Sequence, residues 1–357
     1  MKPFFALIAN GQDVTKVIGD RLVSITLNDN AGTKNDILNI AIDGRPSGEA
    51  NFETGKFPKL PKLGATLELF LGYAKSETMV QPADLTRMGT FTLEAQTVTC
   101  PPYQIRLRGH GTKLNTKFKG NKTLSHHQKT VGEIVEAIAE DYDLEVEIDD
   151  KVKDTFVQHM DQKNMSDMAF LTYLAHKKGC VVKVVDEKLF FGKHGAVKEA
   201  GGVIVPEVRL ALETCASWTF DQQARSEYKS VRSRTVDKDT GKVTYADIEI
   251  KTGESEAVAE QSRTYPTEQE AVDAATAKAS ALERTKKKFK FKAQGHPDFR
   301  AESKVILVEP FYPDMPREWM LVNAVHTFTK GEGYTVGCEC EIPTKETSGG
   351  DESAPAE

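Results

Sequence analysis

A few groups of side chains in this sequence have the types and spacing to do chemistry. His126-His127 is the only adjacent pair among eight histidines. Imidazole is the commonest metal ligand, but neighbours in sequence seldom converge on one ion. The pair therefore reads as part of a solvated loop ahead of a helix. Cys338-x-Cys340 is the only close pair among five cysteines, the others being Cys100, Cys180 and Cys215. On a strand, residues two apart share a face, where two free thiols would serve as small apolar fillers. An odd, scattered set makes a poor disulfide framework and fits a reducing compartment. Glu133, Glu136 and Glu140 could present paired carboxylates, but glycoside hydrolysis needs two carboxyls flanking a cleft, often about 5–10 Å apart. On one helix they read as a solvated face. His326 follows Val322 and Val325 in an apolar strand and reads as a hydrogen-bonded structural histidine.

The run Lys286-Lys-Lys-Phe-Lys-Phe-Lys292 is more distinctive. Basic and aromatic side chains together can hold single-stranded nucleic acid. On a strand, however, Lys288, Lys290 and Lys292 share one face while Phe289 and Phe291 share the other. The phenylalanines should enter a core and the lysines should meet water or an acidic partner. No GxSxG, phosphate-loop, HExxH or CxxC motif is present, and Gly109-His110-Gly111 lacks the rest of a dinucleotide fingerprint. Asn121-Lys-Thr123 and Asn164-Met-Ser166 match glycan acceptors but carry little weight without a secretory signal. The sequence thus assigns no catalytic, cofactor-binding or metal-ligating residue; no cofactor and no enzyme activity are expected.

The elements that would position these groups are mostly strands. Leu38, Ile40 and Ile42 alternate with polar or small residues, as do Leu67, Leu69 and Leu71, then Phe91 and Leu93, then Ile105 and Leu107. Such period-two patterns between Gly, Pro and Asn clusters indicate antiparallel sheet. After about Lys122 the pattern changes. Thr130-Val-Gly-Glu133 is a capping box, followed by Val131, Ile134, Val135 and Ile138 at helical spacing. A short strand over Leu144–Ile148 comes next. Ser166 caps a second helix that Gly179 ends, and Val181–Val185 with Leu189–Phe191 read as a hairpin. Strands resume near Val203. Lys229–Val236 and Lys242–Ile250 flank a turn at Asp237-Lys-Asp-Thr-Gly241. Thr267 to Glu270 caps an Ala-rich helix, and strands over Lys304–Val308, Trp319–Phe328 and Thr335–Ile342 follow. Glu346 to Glu357 lacks apolar content and should be a disordered acidic tail.

The chain has 357 residues, 39% hydrophobic and 28% charged, with 47 basic and 53 acidic residues and a net charge of −6. That is an ordinary globular composition. A weakly acidic chain is not built to coat nucleic acid, so no specific nucleic-acid binding is expected. No apolar run reaches the roughly 18 residues that suggest a spanning helix, and no membrane insertion is expected. The apolar start, Met1 to Ala9, is short for a signal peptide, runs into Asn10-Gly11, and reads as a first strand.

Several segments resemble the phage late control gene D family, the baseplate hubs of contractile tails, which are similar to the hub part of type VI secretion spike proteins. They are Pro61-Lys-Leu-Gly64, Leu67-Glu-Leu-Phe-Leu-Gly-Tyr73, Met88-Gly-Thr-Phe91, Lys129 to Ala139, Gln162 to Ala175, Gly179, Lys188-Leu-Phe190, Gly192, Gly295-His-Pro297, Glu318-Trp-Met-Leu-Val322, His326 and Gly333-Tyr-Thr335. Their shared order and spacing carry the resemblance, which spans about 1–343.

The resemblance implies an α+β, mainly β fold with two tube-like antiparallel β-barrels, a small α/β insert and a helical insertion. The first barrel would cover 1–118, the α/β insert 119–198, and the second barrel 199–345 with the helical insertion at about 253–284, leaving 346–357 as the tail. It implies a structural hub: a homotrimer that joins a sixfold tail tube to a threefold central spike and nucleates tube assembly. The tape measure protein and baseplate wedge proteins would be further partners. The place would be the virion's tail baseplate, with assembly in the host cytoplasm. Some relatives carry fused lysozyme or spike modules, and with a short acidic end neither is expected here. A phage-tail-like bacteriocin or other contractile injection particle would use the same chain. A peptidoglycan-binding or cell-wall-degrading tail protein is the alternative of another class.

Overall fold

The computed structural model describes residues 1–32, 34–46, 60–75, 81–111, 118, 120–185, 188–193, 207–222, 228–236, 240–250, 255–265 and 267–343. The expected tail at 346–357, Asp186-Glu187 of the first hairpin turn and residues 237–239 of the second lie outside the described residues.

In chain order the first strands and helix are β1 (Lys2–Ala9), β2 (Gln12–Asp13), α1 (Thr15–Arg21), β3 (Leu22–Asn30), β4 (Ile37–Asp43), β5 (Thr66–Ala74), β6 (Thr86–Thr99) and β7 (Gln104–His110). An α/β module follows: β8 (Lys122–Thr130), α2 (Val131–Glu140), β9 (Glu145–Ile148), α3 (Asp150–Lys153), β10 (Phe156–Met165), α4 (Asp167–Lys178), β11 (Cys180–Val185) and β12 (Lys188–Lys193). The remainder comprises β13 (Glu207–Leu210), β14 (Cys215–Gln222), β15 (Ser230–Val236), β16 (Val243–Glu249), β17 (Val258–Tyr265), α5 (Glu268–Thr285), β18 (Lys287–Gln294), β19 (Lys304–Leu307), β20 (Glu318–Thr329) and β21 (Gly333–Glu341).

Among the described residues the chain divides into two compact units, one within 1–221 and 288–341, the other within 222–287 with 342–343. The first is organised by a 13-stranded sheet whose main path runs β14-β18-β21-β20-β3-β4-β7-β6-β5-β1-β2. All its ladders with a recorded register are antiparallel except β13 with β19. The period-two pattern explains which face is dry. Ile25 and Leu27 on β3, Leu38 and Ile40 on β4, and Leu67 and Leu69 on β5 are all at most 1% exposed. The residues between them on β3 and β4 are only half-buried.

The long strand β20 joins the two ends of the chain. Its first residues, Glu318–Met320, pair with β19. The register then slips between Leu321 and Asn323, and Asn323–Thr329 pair with β3. A bulge inserts one residue and re-aims a strand. At this one the Val322 carbonyl accepts from Ala31 N at 2.9 Å. The extra residue thus transfers β20 from a C-terminal partner to an N-terminal one.

The α/β module has its own core around Val131, Ile134, Val135, Phe170, Leu171 and Leu174. Its helices begin as the sequence predicts. Thr130 and Glu133 form the reciprocal capping box, and Ser166 accepts from Ala169 N. Gly179 ends α4 in the left-handed region, φ 64°, where a side chain is disfavoured. The strand β8 with its partner β10 replaces the loop expected at His126-His127.

In the second unit α5 covers a sheet of order β16-β15-β17. Its core is made of small residues, Ala271, Ala274, Ala275 and Ala279 against Val231, Ala246 and Tyr265. Thr267 Oγ1 accepts from Glu270 N at the start of the helix, as its spacing predicts.

Candidate assembly surface

The solvent face of the large sheet is continuous from β18 through β21, β20, β3, β4 and β7 to β6. The register places side chains across it row by row. Lys292 stands opposite Gly337, Val325 opposite Asn28, Thr327 opposite Thr26, Asn39 opposite Arg108, and Ala41 opposite Arg106. The middle is small and polar, while the charged residues sit towards the two sides. Gly337 leaves open space in which a Cβ would meet nothing within 4 Å. The hollow there, about 260 Å³, is walled by Lys292, Val325, Thr327 and Thr335.

The Lys–Phe strand is oriented as its alternation predicts. Phe289 and Phe291 are 0% and 4% exposed, stack on each other at 5.3 Å, and meet Trp319 and Phe299 respectively at 5.4 Å. Lys288 and Lys290 stand opposite Glu341 and Glu339, and Lys290 Nζ pairs with Glu339 Oε1 at 2.5 Å. Cys338 and Cys340 lie on the dry face opposite Phe291 and Phe289, and burial pushes both thiols well above their usual range. They are fillers.

His326 is 1% exposed and has both nitrogens satisfied. Nδ1 accepts from the Tyr334 hydroxyl at 2.7 Å and Nε2 donates to the Phe299 carbonyl at 2.9 Å. Burial lowers its pKa to about 4, so it is neutral near pH 7. Tyr334 also packs on Gly295, whose nitrogen donates to the Tyr334 carbonyl. A Cβ at Gly295 would lie 2.3 Å from the tyrosine ring. The three glutamates of α2 resolve as a surface: Glu133 caps the helix, Glu136 pairs with Lys153 at 2.9 Å, and Glu140 is exposed. Among the described residues no group of three or more His, Cys, Asp or Glu could hold a metal ion. No helix among them is long and apolar enough to cross a membrane.

Two features escaped the sequence reading. The first is a buried ionic joint. Lys183, on β11, donates to the Asn30 carbonyl at 2.7 Å and to Asp36 Oδ1 at 3.2 Å, and lies 3.7 Å from Asp29 Oδ1. Asp29 also accepts from Ala301 N, and Glu302 accepts from Gly32 N, each at 3.0 Å. The α/β module, the N-terminal strands and the C-terminal strands therefore meet around one ammonium. Burial pushes the Asp36 carboxyl up to about 6 despite Lys183 beside it. Burial also works against the Lys183 charge, but Asp36 and Asp29 outweigh it and hold its pKa above the ordinary lysine value. No local pattern announces such a joint, because its members are far apart in sequence.

The second is an aromatic patch at β14, the end strand of the sheet path. Trp218 packs on Phe311 at 5.6 Å, while Phe311, Tyr312 and Val308 are 73%, 58% and 48% exposed. The signal for it is the loop sequence Pro310-Phe-Tyr-Pro313, which sets two large aromatics between prolines that bar regular pairing.

A mainly β chain with a broad polar sheet face, an exposed aromatic edge and buried, satisfied histidine chemistry has the character of an assembly component. Comparison with known proteins gives the class. Residues 63–332 match the sequence model for the phage tail baseplate hub (GPD), and the chain belongs to that family. It is similar to the probable baseplate hub protein of Escherichia phage 186, at 27% identity over 380 residues covering 96% of this chain and 93% of the relative. Its fold is similar to that of the 43 kDa tail protein of prophage MuSo2 from Shewanella oneidensis, with a TM-score of 0.68 at 11% identity over 96% and 99% of the two chains. A type VI secretion component from E. coli shares the fold more distantly, with a TM-score of 0.52 at 11% identity over 91% of this chain and 74% of that one. The protein is thus a structural component of a phage tail baseplate and not an enzyme.

Proposed function

We propose that three copies form a ring that joins a sixfold tail tube to a threefold central spike, and that the ring templates the first layer of tube. The observation that carries this reading is the single polar face running through β20 and β3 from the C-terminal to the N-terminal strands. A chain with a tube-like barrel at 1–118 and another within 199–345, split by the helical insertion, presents two comparable halves. Three such chains offer six near-equivalent positions to the tube and true threefold symmetry to the spike. The α/β insert at 119–198 would decorate the ring. The small polar residues of the shared face suit a wet lining turned to the ring axis, since tight protein contacts favour buried aromatic anchors. The Trp218–Phe311 edge supplies such anchors and suits contact with a neighbouring protein. Spike, tube, tape measure and wedge proteins are the partners of this reading. The chain would assemble with them in the host cytoplasm before taking its place in the virion.

Light scattering on the purified chain, alone and mixed with its spike, tests the stoichiometry. A trimer in at least the mixture is expected; a stable dimer in both conditions contradicts the reading.

A further inference from the structure

The adjacent histidines of the sequence are separated by the strand they lie on. His126 is buried against Phe170, with ring centroids 4.8 Å apart. His127 points the other way and stands directly opposite His159 of β10. The two Nδ1 atoms are 3.1 Å apart, and the rings overlap at 4.4 Å between centroids. Both residues are exposed, the His159 side chain by 49%.

An anchored carboxylate flanks the His159 ring. Its Nε2 lies 3.1 Å from Asp161 Oδ1, while its Nδ1 shares the hydrogen-bonded contact with His127 Nδ1. Asp161 is held in turn by the Ser125 hydroxyl, which donates to Oδ1 at 2.7 Å, and by the Lys163 ammonium, 3.2 Å from Oδ2. One ring nitrogen beside an anchored carboxylate is the usual outer-shell support of a metal-binding histidine, and an ion would replace the proton now shared between the two Nδ1 atoms. The spacing also suits an ion. Metal–nitrogen bonds of about 2.0–2.1 Å in tetrahedral geometry place the two nitrogens roughly 3.3–3.4 Å apart. The pair is within a few tenths of an ångström of that bite, and turning the exposed rings out of their stack brings both lone pairs onto one point.

We propose that His127 and His159 form a chelating site for a divalent transition-metal ion, supported by Asp161, with the remaining coordination positions filled by water. Imidazole donors select zinc, nickel or copper over magnesium or calcium. The ion would bridge β8 and β10, the two strands of one sheet, and stabilise the α/β module in proportion to its occupancy.

The test is calorimetric titration of the full chain with Ni²⁺ and Zn²⁺ in a non-chelating buffer, with Mg²⁺ as the hard-ion control. One equivalent of Ni²⁺ or Zn²⁺ should bind, with no Mg²⁺ binding. His127→Gln and His159→Gln should each abolish it, and Asp161→Asn should weaken it about 10–100-fold. His296→Gln should leave the isotherm unchanged. Absence of binding at millimolar Ni²⁺, or a parental isotherm in either His127→Gln or His159→Gln, overturns the proposal. Melting of each variant without metal shows whether it folds. Should one not fold, selective broadening of histidine imidazole signals by Cu²⁺ in the parent protein decides: broadening at His127 and His159 supports the site, and broadening elsewhere or none overturns it.

Discussion

The two halves of the large sheet solve the same packing problem with different residues. The N-terminal strands close their core with branched aliphatics such as Ile25, Leu38, Ile40, Leu67 and Leu107. The C-terminal strands use Phe289, Phe291 and Trp319 against Phe299 of the β18–β19 connection, with Cys338 and Cys340 filling beneath them, while Tyr334 of β21 reaches into the aliphatic cluster. Aliphatic packing is divided among many similar contacts, so no single side chain dictates the arrangement. Aromatic packing is specific. Trp319 needs the Pro316 carbonyl for its indole N–H at 2.7 Å, Tyr334 needs His326 for its hydroxyl, and the Tyr334 ring needs a glycine at 295. The aromatic half should therefore be more brittle to substitution than the aliphatic half.

The largest expected effects break that contrast most directly. Phe289→Ala should cost about 3–5 kcal/mol, whereas Leu38→Ala, at an equally buried position in the other half, should fall towards the lower end of about 2–5 kcal/mol, both read by denaturant unfolding. Equal costs would remove the distinction.

The joint between the halves comes next. Lys183→Met leaves Asp29, Asp36 and Glu302 around an apolar chain, and breaking a buried ion pair costs about 3–5 kcal/mol. Hydrogen exchange should speed up at β11 and at the β3–β4 connection. The Asp36 carboxyl has a folded pKa of about 6, above the ordinary aspartate value. Folding therefore favours its protonated form, and its contribution to stability is present at low pH and lost as pH rises through about 6. His326 has the opposite sign: its folded pKa of about 4 lies below 6.5, so stability is lost as pH falls through that window. Asp36→Asn should stabilise the chain by roughly 1 kcal/mol near neutral pH and leave a steeper loss on acidification, because only the histidine contribution remains. A variant less stable than the parent at neutral pH would show that the charged Asp36–Lys183 pair holds the joint.

A smaller effect sharpens the comparison inside the aromatic half. Gly295→Ala drives a methyl group into a buried ring and should cost about 1–3 kcal/mol, as overpacking does. Gly337→Ala, on the wet face with open space, should be nearly neutral. Smallest of all, Lys290→Gln removes an exposed ion pair worth about 0–1 kcal/mol, so monomer melting should barely move.

Much of the fold is legible in the sequence because its signals are local. The alternation in β3–β7, the capping box at Thr130, the Ser166 cap, the left-handed Gly179 and the facing of Lys290 against Phe289 all depend on residues within a few positions of one another. What the sequence does not show is long-range. Asn323 bonds to the Asp29 carbonyl across 294 positions, and nothing near either residue foretells it. The same holds for Lys183 at the joint and for His159 opposite His127, where β10 carries no clean alternation because its burial pattern is irregular. The polar face passes from β20 to β3 just after the bulge at Val322, a one-residue slip against β21 that hydrophobic periodicity does not mark.

The central claim is that one chain supplies a continuous polar face to a threefold ring at the junction of tube and spike. Cryo-electron microscopy of assembled tails measures it directly. The account predicts three copies at that junction, with Thr26, Asn39, Thr327 and Lys292 turned to the ring axis. Six copies, a position away from the tube–spike junction, or that face turned outward to bulk solvent would contradict it.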